Sequence, residues 1–106
     1  MDAVVGIDIG GSGTKGASVD LAAGRFAAPR VRLPTPSPAT PDRVADVVVE
    51  LLAQLDAPGP VGLTLPAVVR GGIVETAANI DETWIGTNAL ELFGRATGRP
   101  VAVIND

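Results

Sequence analysis

The sequence predicts an α/β fold: one mixed sheet in which an antiparallel three-strand meander is followed by αβ units. Three apolar stretches at 3–9, 14–19 and 25–33 are separated by turns too short to hold a helix, which predicts antiparallel neighbours. Two later apolar stretches, 61–65 and 101–104, each follow a segment with helical periodicity. A strand reached through a helix is expected to pair in parallel, so these two extend the same sheet.

The first turn is the most informative stretch of the chain. Residues 10–13 are Gly-Gly-Ser-Gly, between one strand with Asp8 near its end and another that begins at Thr14. Glycine accepts positive φ and lets another group approach the backbone closely. Such a turn exposes N–H groups in a small concavity that suits a phosphate, and Lys15 adds a cation. Asp8 is placed to hold Mg²⁺ through water. The candidate phosphate-binding residues are therefore Gly10, Gly11, Ser12, Gly13, Thr14 and Lys15.

Two better-known phosphate motifs are excluded. Residues 11–16 fit the spacing G-x-G-x-x-G, but a dinucleotide-binding fold needs a helix next, and residues 16–19 continue as a strand. A P-loop needs glycine directly before its lysine, and Thr14 stands there instead. A plain hairpin with a glycine-rich turn stays open as the alternative to a phosphate cradle.

Composition limits the functional classes. The chain has 106 residues, enough for one domain or lobe, and 46% hydrophobic residues with a mean hydropathy of +0.34 indicate a globular protein. The net charge of −4 disfavours a general nucleic-acid binder, so we expect no nucleic-acid partner. The absence of cysteine excludes a disulfide framework and a thiolate metal site. No signal peptide or membrane-spanning run is apparent, which predicts a cytoplasmic protein without a membrane partner.

The third predicted strand, 25–33, precedes a proline-rich loop. Pro29 inside that strand indicates an edge position or a bulge, since proline cannot donate to a ladder. Pro34, Pro36 and Pro38 then keep the following loop extended. We interpret this loop as a connection within the domain.

The first helix is predicted over 40–57. Thr40 can cap it, Pro41 fits the first helical position and Asp42 complements the helix dipole. Pro58-Gly59-Pro60 ends it. The apolar residues recur on one face at i, i+3, i+4, i+7, i+8 and i+11, which predicts a stripe packed on the sheet. These residues are Val44, Val47, Val48, Leu51, Leu52 and Leu55.

A polar, irregular segment separates this helix and its strand from the end of the chain. A small hairpin is predicted around residues 70–72, and residues 76–88 then hold two Asn, three Thr, two acids and Trp84. Such a segment suits recognition of a polyhydroxyl ligand, and a surface loop pinned by Trp84 is the alternative.

Asn88 is predicted to cap a second helix, with Glu91 at the capping-box position and Gly98 as its stop. Residues 101–104 then form a last buried strand. The predicted buried face of the helix is Ala89, Leu92, Phe93 and Ala96.

Several of these stretches carry a family resemblance. Residues 8–15 resemble the first phosphate loop of the sugar kinase/actin/hexokinase superfamily, and more closely that of the ROK family of bacterial sugar kinases and repressors. Residues 62–67 resemble the family's G-x-x-x-P segment, and residues 103–106 its strand ending in Asn-Asp. Residues 76–81 and 84–88 are most similar to polyphosphate glucokinases. The resemblance covers essentially the whole chain and implies the ribonuclease-H-like N-terminal lobe of an actin/hexokinase-type ATPase.

The resemblance also implies a reaction and its residues. It implies phosphoryl transfer from polyphosphate or ATP to the 6-hydroxyl of glucose or mannose, with Mg²⁺. Asp106 matches the family's catalytic base, and Asn105, Asp106, Thr87 and Asn88 are the implied sugar contacts. No zinc site is expected, because the Cys-rich motif of many ROK members is absent.

The resemblance further implies that residues 1–106 are the N-terminal lobe of a longer kinase, with the second phosphate loop and C-terminal lobe following Asp106. We expect the 106 residues alone to be inactive and the parent protein to be a homodimer with a role in glycolysis. Two alternatives stay open: a sugar-sensing repressor of the same family, and a sugar- or phosphate-binding fragment without turnover. Family repressors carry a DNA-binding segment before the first phosphate loop, and here that loop starts at Gly10.

Overall fold

The computed structural model describes residues 3–22, 25–26 and 30–105. Their elements follow the order of the predicted α/β fold. The strands are β1 (Ala3–Ile9), β2 (Gly13–Asp20), β3 (Arg25–Phe26), β4 (Val31–Pro34), β5 (Val61–Leu65), β6 (Val69–Arg70), β7 (Ile73–Val74) and β8 (Val101–Asn105). The helices are α1 (Pro41–Leu55) and α2 (Ala89–Thr97), with one 3₁₀ turn at Glu82–Trp84.

The main sheet is mixed, as predicted. The central strand β1 pairs antiparallel with β2 on one side and parallel with β5 on the other, and β8 extends the sheet parallel to β5. β6 and β7 form a separate small hairpin. Since β1, β5 and β8 run in the same direction, their carboxyl ends lie along one edge of the sheet.

The third strand of the meander differs from the prediction of one strand over 25–33. Two short strands, β3 and β4, both pair with β2. Val19 pairs with Phe26 and Gly16 with Val31, so the two short strands lie on the same side of β2. Pro29, predicted at an edge or bulge, lies outside the described residues.

Helix α1 covers one face of the sheet with the predicted stripe. Val44, Val48 and Leu51 are fully buried, and Leu52 is buried as well. Thr40 occupies the N-cap, but its side chain makes no capping hydrogen bond, so the predicted side-chain cap is wrong. Its carbonyl accepts the first helical hydrogen bond, from Val44 N at 3.0 Å. Among the described residues, no helix is long and apolar enough to span a membrane.

Trp84 joins the irregular segment to the core. Its side chain is fully buried, and its ring stacks on Phe93 of α2 with centroids 5.9 Å apart. Its Nε1 donates to the carbonyl of Ala39 at 2.7 Å, which links the segment to the loop before α1. Trp84 therefore pins residues 76–88 to the core, as the surface-loop interpretation of this segment predicted.

Helix α2 begins and ends as predicted. The side chain of Asn88 accepts from Glu91 N at 3.0 Å, and Gly98 takes the left-handed conformation with φ of 67° at the other end. Ala89 and Phe93 are buried, whereas Ala96, predicted on the buried face, is exposed.

The last strand, β8, is less buried than predicted. It is an edge strand, and Ile104 is 61% exposed. The reason is that the helices cover only one face of the sheet: along β1, Val5, Ile7 and Ile9 are buried while Gly6 and Asp8 on the other face are exposed.

Candidate phosphate- and sugar-binding site

The glycine turn lies at the carboxyl end of β1, as predicted. It is closed by a hydrogen bond from Gly10 N to the Gly13 carbonyl at 3.0 Å. None of Gly10, Gly11 and Gly13 has a positive φ, so backbone conformation is not what requires glycine here. Close approach requires glycine at position 10, because a Cβ on Gly10 would lie 2.9 Å from the Gly13 carbonyl oxygen. At Gly11 a Cβ would meet no atom within 4 Å, so the space above the turn is open.

Thr35 holds this turn in place, and the sequence analysis did not single it out. Its N–H donates to the Ser12 carbonyl at 3.2 Å and its hydroxyl donates to the Gly10 carbonyl at 2.7 Å. Because that hydroxyl has only one proton, the Thr14 hydroxyl must donate in the 2.9 Å contact between the two threonines. Thr14 is fully buried, so its side chain is committed to Thr35. Its predicted contact with phosphate stays a prediction.

A row of polar side chains crosses the uncovered face of the sheet beside the turn. The strand register places Lys15 opposite Arg32 on one side and opposite Asp8 on the other, and Asp8 opposite Thr64. Residues that are directly opposite in adjacent strands project from the same face. Thr64 Oγ1 donates to Asp8 Oδ1 at 2.7 Å. Asp8, Lys15 and Thr64 line a cavity of about 340 Å³, together with Arg30.

Asp8 is chemically suited to the predicted Mg²⁺ site. Its carboxylate is exposed at the end of β1, and Thr64 hydrogen-bonds one of its oxygens. Protein-bound Mg²⁺ is commonly held by one or two carboxylates together with substrate phosphates and water. The described residues hold no group of three or more metal-ligating side chains, so an ion here would depend on the phosphates of a bound donor.

A second candidate cavity lies at the carboxyl ends of β5 and β8. Its volume is about 280 Å³, and Asn105, Asn79, Thr76 and Pro66 are among its lining residues. Asn105 was predicted as a sugar contact, whereas Asn79 and Thr76 were not named individually. The signal for them was the density of polar side chains in residues 76–88. Asp106, the predicted catalytic base, lies outside the described residues.

The other two predicted sugar contacts lie apart from this cavity. Thr87 Oγ1 donates to the Thr83 carbonyl at 3.2 Å, and Asn88 is engaged as the cap of α2. Asn88 lines a different cavity, with Glu91 and Arg95. Thr87 and Asn88 therefore have structural partners here, and their contact with sugar stays a prediction.

The carboxylate of Asp81 is engaged in local hydrogen bonds. Its carboxylate accepts hydrogen bonds from the hydroxyl and the N–H of Thr83, and these lower its pKa. The carboxylate caps the start of the 3₁₀ turn at Glu82–Trp84. We therefore assign Asp81 to local structure and not to the chemistry of the site.

The glycine turn and the cavity at Asn105 lie at the same edge of the sheet. β1 leads into the glycine turn, and β8, which ends at Asn105, is separated from β1 only by β5. Adjacent strands lie about 4.8 Å apart, so two strand spacings put the ends of β1 and β8 about 10 Å from each other. A phosphate at the turn and a small polar ligand at Asn105 would be neighbours.

Comparisons of the sequence and of the structure with known proteins both find sugar kinases that use polyphosphate. No protein-family model matches the chain. Polyphosphate glucokinase from Mycobacterium tuberculosis is 48% identical over 102 residues, which cover 95% of this chain and 38% of the relative. The inorganic polyphosphate/ATP-glucomannokinase from Arthrobacter sp. strain KM superposes with a TM-score of 0.94 at 44% identity, covering all of this chain and 45% of that one.

The chain is homologous to the N-terminal part of the polyphosphate glucokinases. The ROK family glucokinase from Streptomyces griseus, solved with glucose and AMPPNP, also superposes, with a TM-score of 0.83 at 27% identity over 97% of this chain and 33% of that one. The chain thus spans less than half the length of these relatives. The predicted resemblance to ROK-family sugar kinases and the predicted N-terminal lobe fold are confirmed.

Proposed function

We propose that this chain is the N-terminal lobe of a glucokinase, which transfers phosphate from polyphosphate or ATP to the 6-hydroxyl of glucose. The observation that carries the proposal is the placement of the glycine turn and Asn105 at the same edge of the sheet. The homology to polyphosphate glucokinases supports this reading.

On this proposal the glycine turn and the cavity at Asn105 bind different substrates. The turn residues 10–13 and Lys15 bind the transferred phosphate, and Asp8 supports Mg²⁺ through water. Asn105 hydrogen-bonds sugar hydroxyls, and Asp106 takes the proton from the attacking hydroxyl. Phosphoryl transfer needs mainly positioning and charge neutralisation, with a carboxylate to accept that proton.

Four further features complete the proposal and rest on the family resemblance. They are acceptance of mannose as well as glucose, a homodimeric parent protein, a cytoplasmic location and a role in glycolysis. The structure of the Arthrobacter relative is that of a glucomannokinase that uses polyphosphate or ATP, which supports including mannose and both donors.

The test is Asp106→Asn in the full-length protein that contains this chain. Asparagine keeps the size and hydrogen-bonding capacity of the side chain but cannot accept the proton. A general base contributes about 10²–10⁴-fold, so we expect kcat for glucose phosphorylation to fall by about that factor with little change in KM for glucose. Steady-state kinetics with polyphosphate and with ATP measure this.

Two outcomes would contradict the proposal. Wild-type turnover in the Asp106→Asn protein would show that Asp106 is not the base. A full-length wild-type protein that binds glucose but phosphorylates it with neither donor would instead favour the sugar-binding regulator.

A further inference from the structure

Arg32 places a guanidinium against the glycine turn, although nothing in the sequence marked it as a site residue. A Cβ built on Gly13 would lie 2.3 Å from Nη2 of Arg32 and 2.4 Å from its Cζ. The guanidinium therefore occupies the space that a side chain at position 13 would need. Gly13 is buried, while Arg32 itself is exposed. The arginine thus covers the turn and still faces solvent.

The register of the strands explains this position. Arg32 on β4 lies directly opposite Lys15 on β2, and Gly13 pairs with Pro34, one step further along the same face. Like charges directly opposite each other are destabilising. Because Gly13 has no side chain, Arg32 can lean along the strand over the turn.

Neither Arg32 nor Lys15 forms an ion pair with a described residue, although Asp8 lies opposite Lys15 on β1. A bound anion above the turn would relieve the repulsion between the two cations.

We propose that Arg32 binds the phosphate chain of the donor. This inference rests on the proposed function and adds a residue to its donor site. A guanidinium offers a planar fork of donors that matches two phosphate oxygens, and here it lies against Gly13 of the turn. The competing explanation is an edge-strand charge that only prevents pairing with other chains. If Arg32 had only that role, Arg32→Ala would leave KM for the donor unchanged.

The test compares Arg32→Ala and Arg32→Lys with the wild type in the full-length protein. Losing a hydrogen-bonded contact to a charged group weakens binding substantially. We therefore expect Arg32→Ala to raise KM for the donor about 10- to 100-fold, with KM for glucose unchanged. Arg32→Lys restores the charge without the fork, and we expect a smaller rise. Arg95→Ala is the matched control, since it removes an arginine whose side chain is 81% exposed on α2.

Both donors are tested in each variant. An equal rise for polyphosphate and for ATP places Arg32 on the phosphates common to the two donors. A rise for polyphosphate alone places it on the chain beyond them, and either result supports the proposal. Equal melting temperatures for Arg32→Ala and the wild type exclude a folding defect as the cause.

Gly13→Ala provides a second, independent variant. The φ of Gly13 is not positive, so the backbone tolerates alanine, and the added methyl displaces the guanidinium from the turn. If both changes act through the same contact, the double variant Gly13→Ala/Arg32→Ala has a smaller effect on the donor KM than the product of the single effects.

The outcomes separate this inference from the proposed function. If Arg32→Ala has the same donor KM as the wild type while Lys15→Ala has a raised donor KM, the proposed role of Arg32 is wrong. The glucokinase proposal is then unaffected. If the wild-type protein phosphorylates glucose with neither donor, both fail.

Discussion

Thr35 illustrates how much of the candidate donor site depends on a residue outside it. Its backbone N–H and its hydroxyl bond two carbonyls of the glycine turn, and its hydroxyl oxygen accepts from the buried Thr14. The turn's own hydrogen bond runs from Gly10 N to the Gly13 carbonyl. We infer that Thr35, which directly follows β4, fixes the shape of the turn.

Thr35→Val tests this directly at the residue scale. Valine preserves the shape of the side chain but leaves the buried Thr14 hydroxyl without its acceptor. Losing a partner in this way costs about 1–3 kcal/mol, so we expect the free energy of unfolding to fall by that amount. Urea denaturation of the chain measures it.

Thr35→Ser is the control for that measurement because it keeps the hydroxyl. We expect it to lose clearly less stability than Thr35→Val. Equal losses in the two variants would show that the methyl group of Thr35, and not its hydrogen bonds, stabilises the turn.

Helix α1 sets the stability of the fold at the scale of an element. Leu51 is fully buried against the sheet, whereas Val49, on the same helix, is 42% exposed. Replacing a buried leucine with alanine removes apolar contacts and leaves a cavity, which costs about 2–5 kcal/mol. We expect Leu51→Ala to lower the free energy of unfolding by that amount, as measured by urea denaturation.

Val49→Ala is the matched control on the same helix and should have little effect on stability. A comparable loss in the two variants would mean that the exposed side of α1 is covered by another surface in solution.

The elements were largely predictable because their signals are local. The stripe on α1 and the cap and stop of α2 follow from spacing and from single residues such as Asn88 and Gly98, and all were found as predicted. The division of the outer strand into β3 and β4 was not predictable, since it depends on the register against β2. Register also decides that Arg32 lies opposite Lys15, and a linear pattern does not contain that information.

The candidate site was predictable to a similar extent. The glycine turn was recognised from its position between two strands, and Asn105 from the family resemblance of residues 103–106. Thr35 was missed because its role depends on contacts across the fold, with a turn 25 residues earlier. Two reasons for glycine were predicted, positive φ and close approach, and close approach holds at Gly10 and Gly13.

On the scale of the whole molecule, one face of the sheet is covered by helices and the other is not. Exposed apolar surface lies near the last strand, where Ile104 is 61% exposed. The uncovered face also carries a shallow apolar cavity lined by Val4, Val19 and Ala102, among others. The polar row of Asp8 and Lys15 lies on this same face, nearer the glycine turn.

The central claim is that one edge of the sheet holds two neighbouring sites, one for the phosphate donor and one for the sugar. The most direct test is a two-substrate kinetic comparison of Lys15→Ala and Asn105→Ala in the full-length protein. Each variant removes one polar group from one proposed site. We predict that Lys15→Ala raises KM for polyphosphate and ATP about 10-fold or more with KM for glucose unchanged, and that Asn105→Ala does the reverse. Equal effects of both variants on the same substrate, or no effect of either, would contradict the account.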